Sequence, residues 1–325
     1  MTLASALAAG RYQIHFPRPA GPRFDSFVSA QAPSRIQAQR PEVLLLGNSI
    51  LMTGVDAAGL SANLGVPVYS FGINGSASAV WYAALKNNII ALPGQKPRFV
   101  VILFRDSTIT LPDYRVDGPY LRQLDEYATP RDALIIQRAF VNQMNPLEKA
   151  ADSFLPVYAA GPDLRRDLET ELRHAAPRIL LDCDAACSDK AVQTVLDNAN
   201  LNDLQEIESA ENAEAILYSP AALDFAARVD QSFLPPIIEL CRENNIQLIL
   251  VRAKTQKYSE REPALLSRYV RDLAAYLAQN DVIFVDFSHD SRLQASMFVD
   301  NVHFNQRGRI AFTQFLAGAV LPYLR

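Results

Sequence analysis

Short runs of apolar residues alternate with amphipathic stretches over both ends of this chain. Runs rich in Val, Ile, Leu and Phe predict strands, and the unbroken apolar run of the first predicts a strand that is buried on both faces. They occupy residues 42–46, 66–71, 98–104, 246–251 and 282–287. Apolar residues at helical spacing occupy residues 50–64, 77–92, 233–244, 262–280 and 306–323. The pattern therefore predicts strands that are joined by helices.

This alternation is typical of an α/β fold, because neighbouring parallel strands need a crossover helix between them. Right-handed crossovers and the doubly wound arrangement favour the strand order 2-1-3-4-5. We therefore predict a flavodoxin-like three-layer α/β/α domain with a five-stranded parallel sheet. No internal repeat or low-complexity segment interrupts it.

The alternation stops after the third predicted strand. Helical spacing continues at residues 133–141, 163–174, 190–196, 204–210 and 221–229. We interpret residues 107–230 as a helical insertion that caps the carboxyl edge of the sheet, where it would shape a substrate cleft. Residues 41–106 and 231–325 would form the α/β domain. Residues 1–40, rich in Pro and Arg after the first ten, would form an N-terminal tether segment.

Size and charge narrow the classes of function. The chain has 325 residues, 49% hydrophobic content and a net charge of −4, so it can bury a large core but has no global attraction to nucleic acid or anionic lipid. No apolar run approaches the roughly 20 residues that span a bilayer. The apolar residues 1–10 are too short for a secretory signal. We expect a soluble chain. Whether a membrane anchor precedes the tether is left open.

The cysteines give a hint about the compartment. Cys183 and Cys187 lie four residues apart in a loop-like stretch, and the sequence leaves two alternatives for them, a small disulfide or two free thiols. A disulfide would imply an oxidising compartment, and we favour the bacterial periplasm or cell envelope over the cytoplasm. Cys241 lies on an apolar helix face and is interpreted as a buried thiol. The few His residues assemble no zinc site, and we expect neither metal nor cofactor.

The first predicted strand leads directly into candidate chemistry. Gly47 and Asn48 follow it and present Ser49 at the start of a helix. The carboxyl ends of parallel strands are the usual ligand site of open α/β sheets. A serine at this point suits a nucleophile, although most Gly-Asn-Ser tripeptides are ordinary turns.

A second motif precedes the last predicted helix. Asp300 and His303 are three residues apart in a polar loop, so both side chains can reach one point. Together with Gly-x-Ser after the first strand, this Asp-x-x-His resembles the GDSL/SGNH hydrolase family, in which Ser, Asp and His occur in that order. The resemblance covers residues 42–107 and 247–324 and implies Ser49 as nucleophile, His303 as base and Asp300 as its orienting anion. Asp286 and His289 form a competing Asp-x-x-His, which lacks the Gly-bearing helix behind it.

An acyl-transfer site also needs N–H donors for the oxyanion. The backbone N–H of Ser49 is one candidate, and the resemblance implies that of Gly75 as the second. The family's third donor is an Asn after the third strand, but here Arg105 and Asp106 stand in its place. A carboxylate cannot donate, so either Arg105 substitutes, two backbone donors suffice, or hydrolysis is weak.

Other polar residues converge on the same predicted sheet edge. Asn48, Asp106, Arg252 and Lys254 are candidates for substrate binding, and Asn48 is also a candidate for orienting the serine loop. The two cations, with Arg105, would suit an anionic group on a substrate, and solvated loop charges are the alternative. The aromatic residues Tyr69, Trp81 and Tyr82 are interpreted as core residues, with stacking on sugar rings as the alternative.

The resemblance implies a serine-dependent O-acyl esterase or O-acyltransferase that acts on a glycan or small acyl ester. Members with an altered third block and a large insertion resemble those that work beside membrane-bound acyltransferases in envelope polysaccharide modification. The alternative is a catalytically weak carbohydrate- or partner-binding module. A nucleotide binder is disfavoured, because neither a Gly-x-Gly-x-x-Gly pattern nor a P-loop Lys follows the first strand.

Overall fold

The computed structural model describes residues 2–24, 36–94, 96–161, 215–257 and 261–324, together with residues 164, 175, 184 and 187. The strands are β1 (Val43–Gly47), β2 (Val68–Gly72), β3 (Phe99–Phe104), β4 (Gln247–Arg252) and β5 (Ile283–Asp286). The helices are α1 (Thr2–Tyr12), α2 (Ser49–Gly54), α3 (Ala57–Leu64), α4 (Ser78–Ala84), α5 (Pro119–Asp125), α6 (Ala133–Ile135), α7 (Pro146–Phe154), α8 (Pro156–Ala159), α9 (Phe225–Arg228), α10 (Leu234–Glu243), α11 (Ala264–Gln279) and α12 (Gln306–Val320).

All five strands pair in parallel in the order β2-β1-β3-β4-β5, as predicted. Alternate residues of each central strand point to opposite faces of the sheet. Leu45, Val101 and Ile249 belong to the core beneath α2, α3 and α12. The intervening residues Val100 and Ile102 are also fully buried, on the face that α10 and α11 cover. The domain is therefore a three-layer α/β/α sandwich.

Helix boundaries differ from the predicted ones at two places that matter for the site. The predicted helix over residues 50–64 is two helices, because Val55 leaves the helical conformation and the Asp56 side chain caps α3. Gly65 ends α3 in the left-handed conformation, with φ 70°. The helix predicted over residues 77–92 begins at Ser78 and continues as a π-helix over Leu85–Ile90. Its N-cap is Ala77, which makes no capping hydrogen bond through its side chain.

The chain divides into two compact units. One comprises Arg23–Ala139 and Leu217–Arg325 and contains the whole sheet. The other comprises Met1–Pro22 and Phe140–Ile216, with α1, α7 and α8 among its described elements. In that unit, Arg18 Nη2 lies 2.8 Å from Asp152 Oδ1 in a buried ion pair. Residues 107–139 and 217–230 thus fall in the unit that contains the sheet, although the sequence predicts them to be part of the helical insertion over residues 107–230.

Part of the predicted insertion lies outside the described residues. This applies to Cys183, to the helices predicted over residues 190–196 and 204–210, and to nearly all of that over 163–174. Cys187 is disulfide-bonded, and Cys241 is a free, buried thiol. Burial raises the pKa of Cys241 to about 12, so this thiol stays protonated at neutral pH. Among the residues that the structure describes, no helix has the length and apolar character to span a bilayer.

Candidate active site

Ser49 lies at the end of β1, where a tight turn leads into α2. An added Cβ on Gly47 would lie 3.0 Å from both Leu103 O and Leu51 Cβ, so the turn has no room for a side chain. The Asn48 side chain caps α2 by accepting a hydrogen bond from the N–H of Ile50 at 3.0 Å. These contacts fix the first turn of α2 and leave the Ser49 side chain half-buried.

His303 lies within hydrogen-bond reach of this serine. Its Nε2 is 2.8 Å from Ser49 Oγ, and its Nδ1 is 2.7 Å from Asp300 Oδ2. A carboxylate can only accept, so Nδ1 carries the proton in that bond and Nε2 presents its lone pair to the serine hydroxyl. Ser49, His303 and Asp300 thus form one continuous hydrogen-bonded chain.

The loop around Asp300 holds the imidazole in this orientation. Oδ1 of Asp300 accepts hydrogen bonds from the backbone N–H groups of Val302 and His303, at 2.7 and 2.8 Å. Phe298 and Phe304 close the loop as an antiparallel bridge. Partial burial raises the pKa of Asp300, but the hydrogen bonds from His303 and these N–H groups outweigh it, and the net pKa is below the ordinary value.

The loop that follows β2 is fastened to the serine turn. The N–H of Ile73 donates to Gly47 O at 2.9 Å, and the Asn48 amide donates to Ser76 O at 3.3 Å. Ser76 Oγ accepts from Trp81 Nε1 at 2.8 Å. Gly75 adopts φ 71°, which favours glycine. The Asn48 side chain is thus bonded both to the serine turn and to the loop that contains Gly75.

Two backbone donors near the serine have no acceptor in the described part of the chain. The N–H groups of Ser49 and Gly75 donate no hydrogen bond to any of those residues. Both are residues from which the sequence predicts oxyanion donors. Their N–H groups are therefore available to an oxygen atom of a ligand.

Asp106 does not belong to a substrate cleft. It is buried, and Oδ1 accepts from Arg252 Nη2 at 2.8 Å while Oδ2 accepts from Tyr218 Oη at 2.6 Å. Its backbone has φ 45°, at the start of a 3-10 helix over Asp106–Ile109. The preceding residue, Arg105, is also buried. The substrate-binding role predicted for Asp106 is therefore wrong, because both carboxylate oxygens have structural partners.

Arg252 is the centre of this buried network. Besides Asp106, its guanidinium donates to Glu262 and to Ser288 Oγ, the latter at 3.1 Å, and lies 3.3 Å from Asp286. Burial lowers the pKa of Arg252, but the attraction of Asp106 and the other carboxylates raises it by more. The net pKa is therefore above the ordinary value. Since its donors are engaged, Arg252 is not available for an anionic substrate. The solvated alternative is also wrong, because only 2% of the residue is exposed.

The remaining sequence candidates lie in structural contacts. Lys254 is buried and donates to Asp290 O at 2.9 Å. His289 lies 3.4 Å from Glu262, so the competing Asp-x-x-His does not contact Ser49. Trp81 is fully buried, and Tyr82 stacks on Phe233, which confirms that both are core residues. Tyr69 is half-buried with its ring edge against Phe71.

Sequence reasoning missed a group of side chains beside the loop of Gly75. Arg115 Nη1 donates to Gly75 O at 3.3 Å, and Gln123 Nε2 donates to Asn74 O at 2.6 Å. Tyr114 and Tyr120 flank the Arg115 guanidinium. These residues lie in a stretch that has no motif. The only signal in the sequence is that four aromatic or acidic residues lie within five positions of Arg115, namely Asp113, Tyr114, Asp117 and Tyr120.

Comparison with known proteins finds similar folds only. No family model matches the chain, and no curated protein matches it. An acetyl xylan esterase matches over 87% of this chain and 99% of its own, with 11% identity and a TM-score of 0.39. A GDSL-like lipase from Bacteroides thetaiotaomicron VPI-5482 matches over 90% of this chain and 98% of its own, with 13% identity and a TM-score of 0.40. At these values the likenesses concern the fold and do not bear on activity.

Proposed function

We propose that the chain is a serine-dependent O-acyl ester enzyme of the GDSL/SGNH type. The observation that carries the proposal is the hydrogen-bonded chain of Ser49, His303 and Asp300, with distances of 2.8 and 2.7 Å. A nucleophile, a base and an orienting carboxylate in this order are what acyl transfer requires. The sequence motifs that resemble the family supply the same three residues.

In the proposed reaction, Ser49 Oγ attacks the acyl carbonyl while His303 Nε2 takes the hydroxyl proton. Asp300 stabilises the imidazolium that forms. The N–H groups of Ser49 and Gly75 bind the oxyanion of the tetrahedral intermediate. Collapse of the intermediate expels an alkoxide that takes the proton from His303 and leaves an acyl-Ser49 ester. Water completes hydrolysis, or a second hydroxyl completes transfer.

The proposed substrate is an O-acyl ester, with acetyl as the acyl group, on a glycan of the bacterial envelope. The disulfide at Cys187 supports an oxidising compartment such as the periplasm. A membrane-bound acyltransferase is the proposed partner, because the family members that this sequence resembles work beside one.

One observation favours a second candidate, a catalytically weak binding module. Asp106 stands where the family has its third oxyanion donor, and its carboxylate is bound by Arg252 and Tyr218. Each lost oxyanion donor costs on the order of 10²–10³ in rate. A site with two backbone donors is therefore expected to be slower than one with three.

Labelling with a fluorophosphonate probe separates the two candidates. For the enzyme we expect covalent labelling of the wild type and of His289→Ala, but not of Ser49→Ala. Circular dichroism and thermal unfolding show whether the Ser49→Ala protein is folded. A folded wild-type protein that takes up no probe and releases no acetate from acetylated glycans would favour the binding module.

A further inference from the structure

Arg115 lies beside the proposed oxyanion loop, with its guanidinium next to two aromatic rings. Its guanidinium carbon is 5.3 Å from the Tyr114 ring centre and 5.1 Å from the Tyr120 ring centre. Nη1 makes one long hydrogen bond, 3.3 Å, to Gly75 O. The backbone of Arg115 is in the left-handed region, with φ 55°, which a residue with a Cβ seldom adopts. The fold thus holds this side chain against Gly75.

No carboxylate among the described residues pairs with Arg115. Two buried arginines differ in this respect, because Arg252 is bound by Asp106 and Arg18 by Asp152. The Nε of Arg115 is buried and has no hydrogen-bond partner among the described residues. A guanidinium has five N–H donors in a planar fork that matches a carboxylate, and most of these donors are left for a ligand here.

Two neighbouring polar atoms are also unsatisfied. In the part of the chain that the structure describes, the hydroxyl of Tyr114, a residue only 5% exposed, has no hydrogen-bond partner, and neither has the Oε1 of Gln123. Leaving a buried polar group unpaired is costly, so such groups point to a ligand when they cluster. A cation, a hydroxyl and an amide oxygen together fit an acidic ligand that also carries hydroxyl groups.

We propose that Arg115 is a specificity-determining residue that binds a carboxylate on the substrate, close to its ester. This inference rests on the proposed function, because Gly75 is the residue that would bind the oxyanion with its N–H while Arg115 contacts its carbonyl. The carboxylate belongs either to the alcohol side, as in a uronic acid residue, or to the acyl side, as in a dicarboxylic half-ester. Both present the same chemistry to the guanidinium.

Two matched ester pairs test the proposal and separate these sources. The first compares O-acetylated methyl glucuronide with O-acetylated methyl glucoside, and the second compares para-nitrophenyl hydrogen succinate with para-nitrophenyl butanoate. In each pair the measured quantity is the ratio of kcat/KM for the acidic ester to that for the neutral ester. The Ser49→Ala protein gives the background.

We expect the wild type to prefer the acidic member of one pair. Arg115→Gln should lower that ratio roughly ten- to hundredfold, mainly through KM, because a charged hydrogen bond is lost. Arg115→Lys should retain part of the preference. Arg268→Gln, on the exposed face of α11, is the matched control and should leave the ratio unchanged. Equal ratios for wild type and Arg115→Gln in both pairs would overturn the inference while leaving the esterase standing.

A binding measurement keeps the inference testable if no ester is turned over. Isothermal titration of Ser49→Ala with methyl glucuronide and methyl glucoside, and with methyl hydrogen succinate and methyl butanoate, reports charge selectivity without chemistry. Selective binding of an acidic member that is lost in Ser49→Ala/Arg115→Gln would support the Arg115 site and reject only the esterase. Equal or undetectable binding within both pairs would reject the Arg115 site.

Discussion

His303 Nε2 lies 2.8 Å from Ser49 Oγ, although 254 residues separate them along the chain. Ser49→Ala and His303→Ala should each abolish turnover of para-nitrophenyl acetate, with losses of at least about 10²-fold for the base. Asp300→Asn should cost less, since the imidazole keeps its place. All three should unfold at nearly the wild-type temperature, because these side chains carry little packing. His289→Ala is the matched control, and a dead His289 variant with an active His303 variant would contradict the assignment.

The buried network around Arg252 predicts a stability effect. Arg252→Met leaves Asp106 and Glu262 buried without their cation, so we expect a loss of about 3–5 kcal/mol in the free energy of unfolding. Arg242→Met removes a cation from an exposed pair with Glu239 and should cost about 1 kcal/mol or less. Urea unfolding of both variants measures the difference, and equal losses would show that the network contributes no more than a surface pair.

The same network changes the expectation for Asp106→Asn. A free carboxylate near the oxyanion would slow ester cleavage, and replacing it would raise the rate. Asp106 instead accepts from Arg252 and Tyr218, so the amide should lower stability by about 1–3 kcal/mol without accelerating the reaction. Parallel measurement of kcat and urea unfolding checks both parts, and a faster, equally stable variant would refute this placement.

Gly308 and Gly318 lie in the same helix, α12, and predict opposite effects of alanine. A Cβ on Gly308 would overlap the carbonyl oxygen of Met297 and lie 2.7 Å from Phe304, so Gly308→Ala should destabilise by about 3 kcal/mol. Since Phe304 follows His303, activity should fall as well. A Cβ on Gly318 meets nothing within 4 Å, and Gly318→Ala should stabilise by up to about 1 kcal/mol. Thermal unfolding of the two variants decides the comparison.

Asp132 predicts a pH-dependent contribution to stability. Burial raises its pKa, but hydrogen bonds from Lys86, Asn87 and Thr129 outweigh this effect, and the net pKa lies below the ordinary 3.8. The carboxylate therefore stabilises the fold above the unfolded pKa, and this contribution is lost as the pH falls through the folded pKa. Asp132→Asn should cost about 2 kcal/mol at pH 7, with a difference from wild type that shrinks below about pH 4.

Urea unfolding between pH 3 and pH 7 measures this difference. Glu239→Gln, at the exposed pair with Arg242, is the matched control and should track the wild type over the whole range. A loss of stability in Asp132→Asn that does not depend on pH would show that the charge of Asp132 does not stabilise the fold.

The strand pattern and the two motifs were determined by the sequence alone. The three central strands are buried on both faces and therefore have to be apolar throughout, whereas β2 and β5 at the edges of the sheet are only partly buried. The strands and their parallel order could be predicted from these apolar runs and from the helical spacing between them. Ser49, Asp300 and His303 could be named because Gly-x-Ser and Asp-x-x-His each stand beside an element that the pattern defines. Asp300 and His303 are three residues apart in one loop, so the local backbone geometry is enough to bring their side chains together.

Only the tertiary structure decided which charges are free. In sequence, Arg252, Lys254 and Asp106 resemble polar residues at a sheet edge, and Arg115 resembles an ordinary loop cation. The fold encloses Arg252 among carboxylates that are 10 to 146 residues away. It holds Arg115 beside Gly75, where no carboxylate of the described residues pairs with it. Whether a charge is compensated depends on which distant side chains the packing brings within a few ångströms, and no local pattern of residues records that.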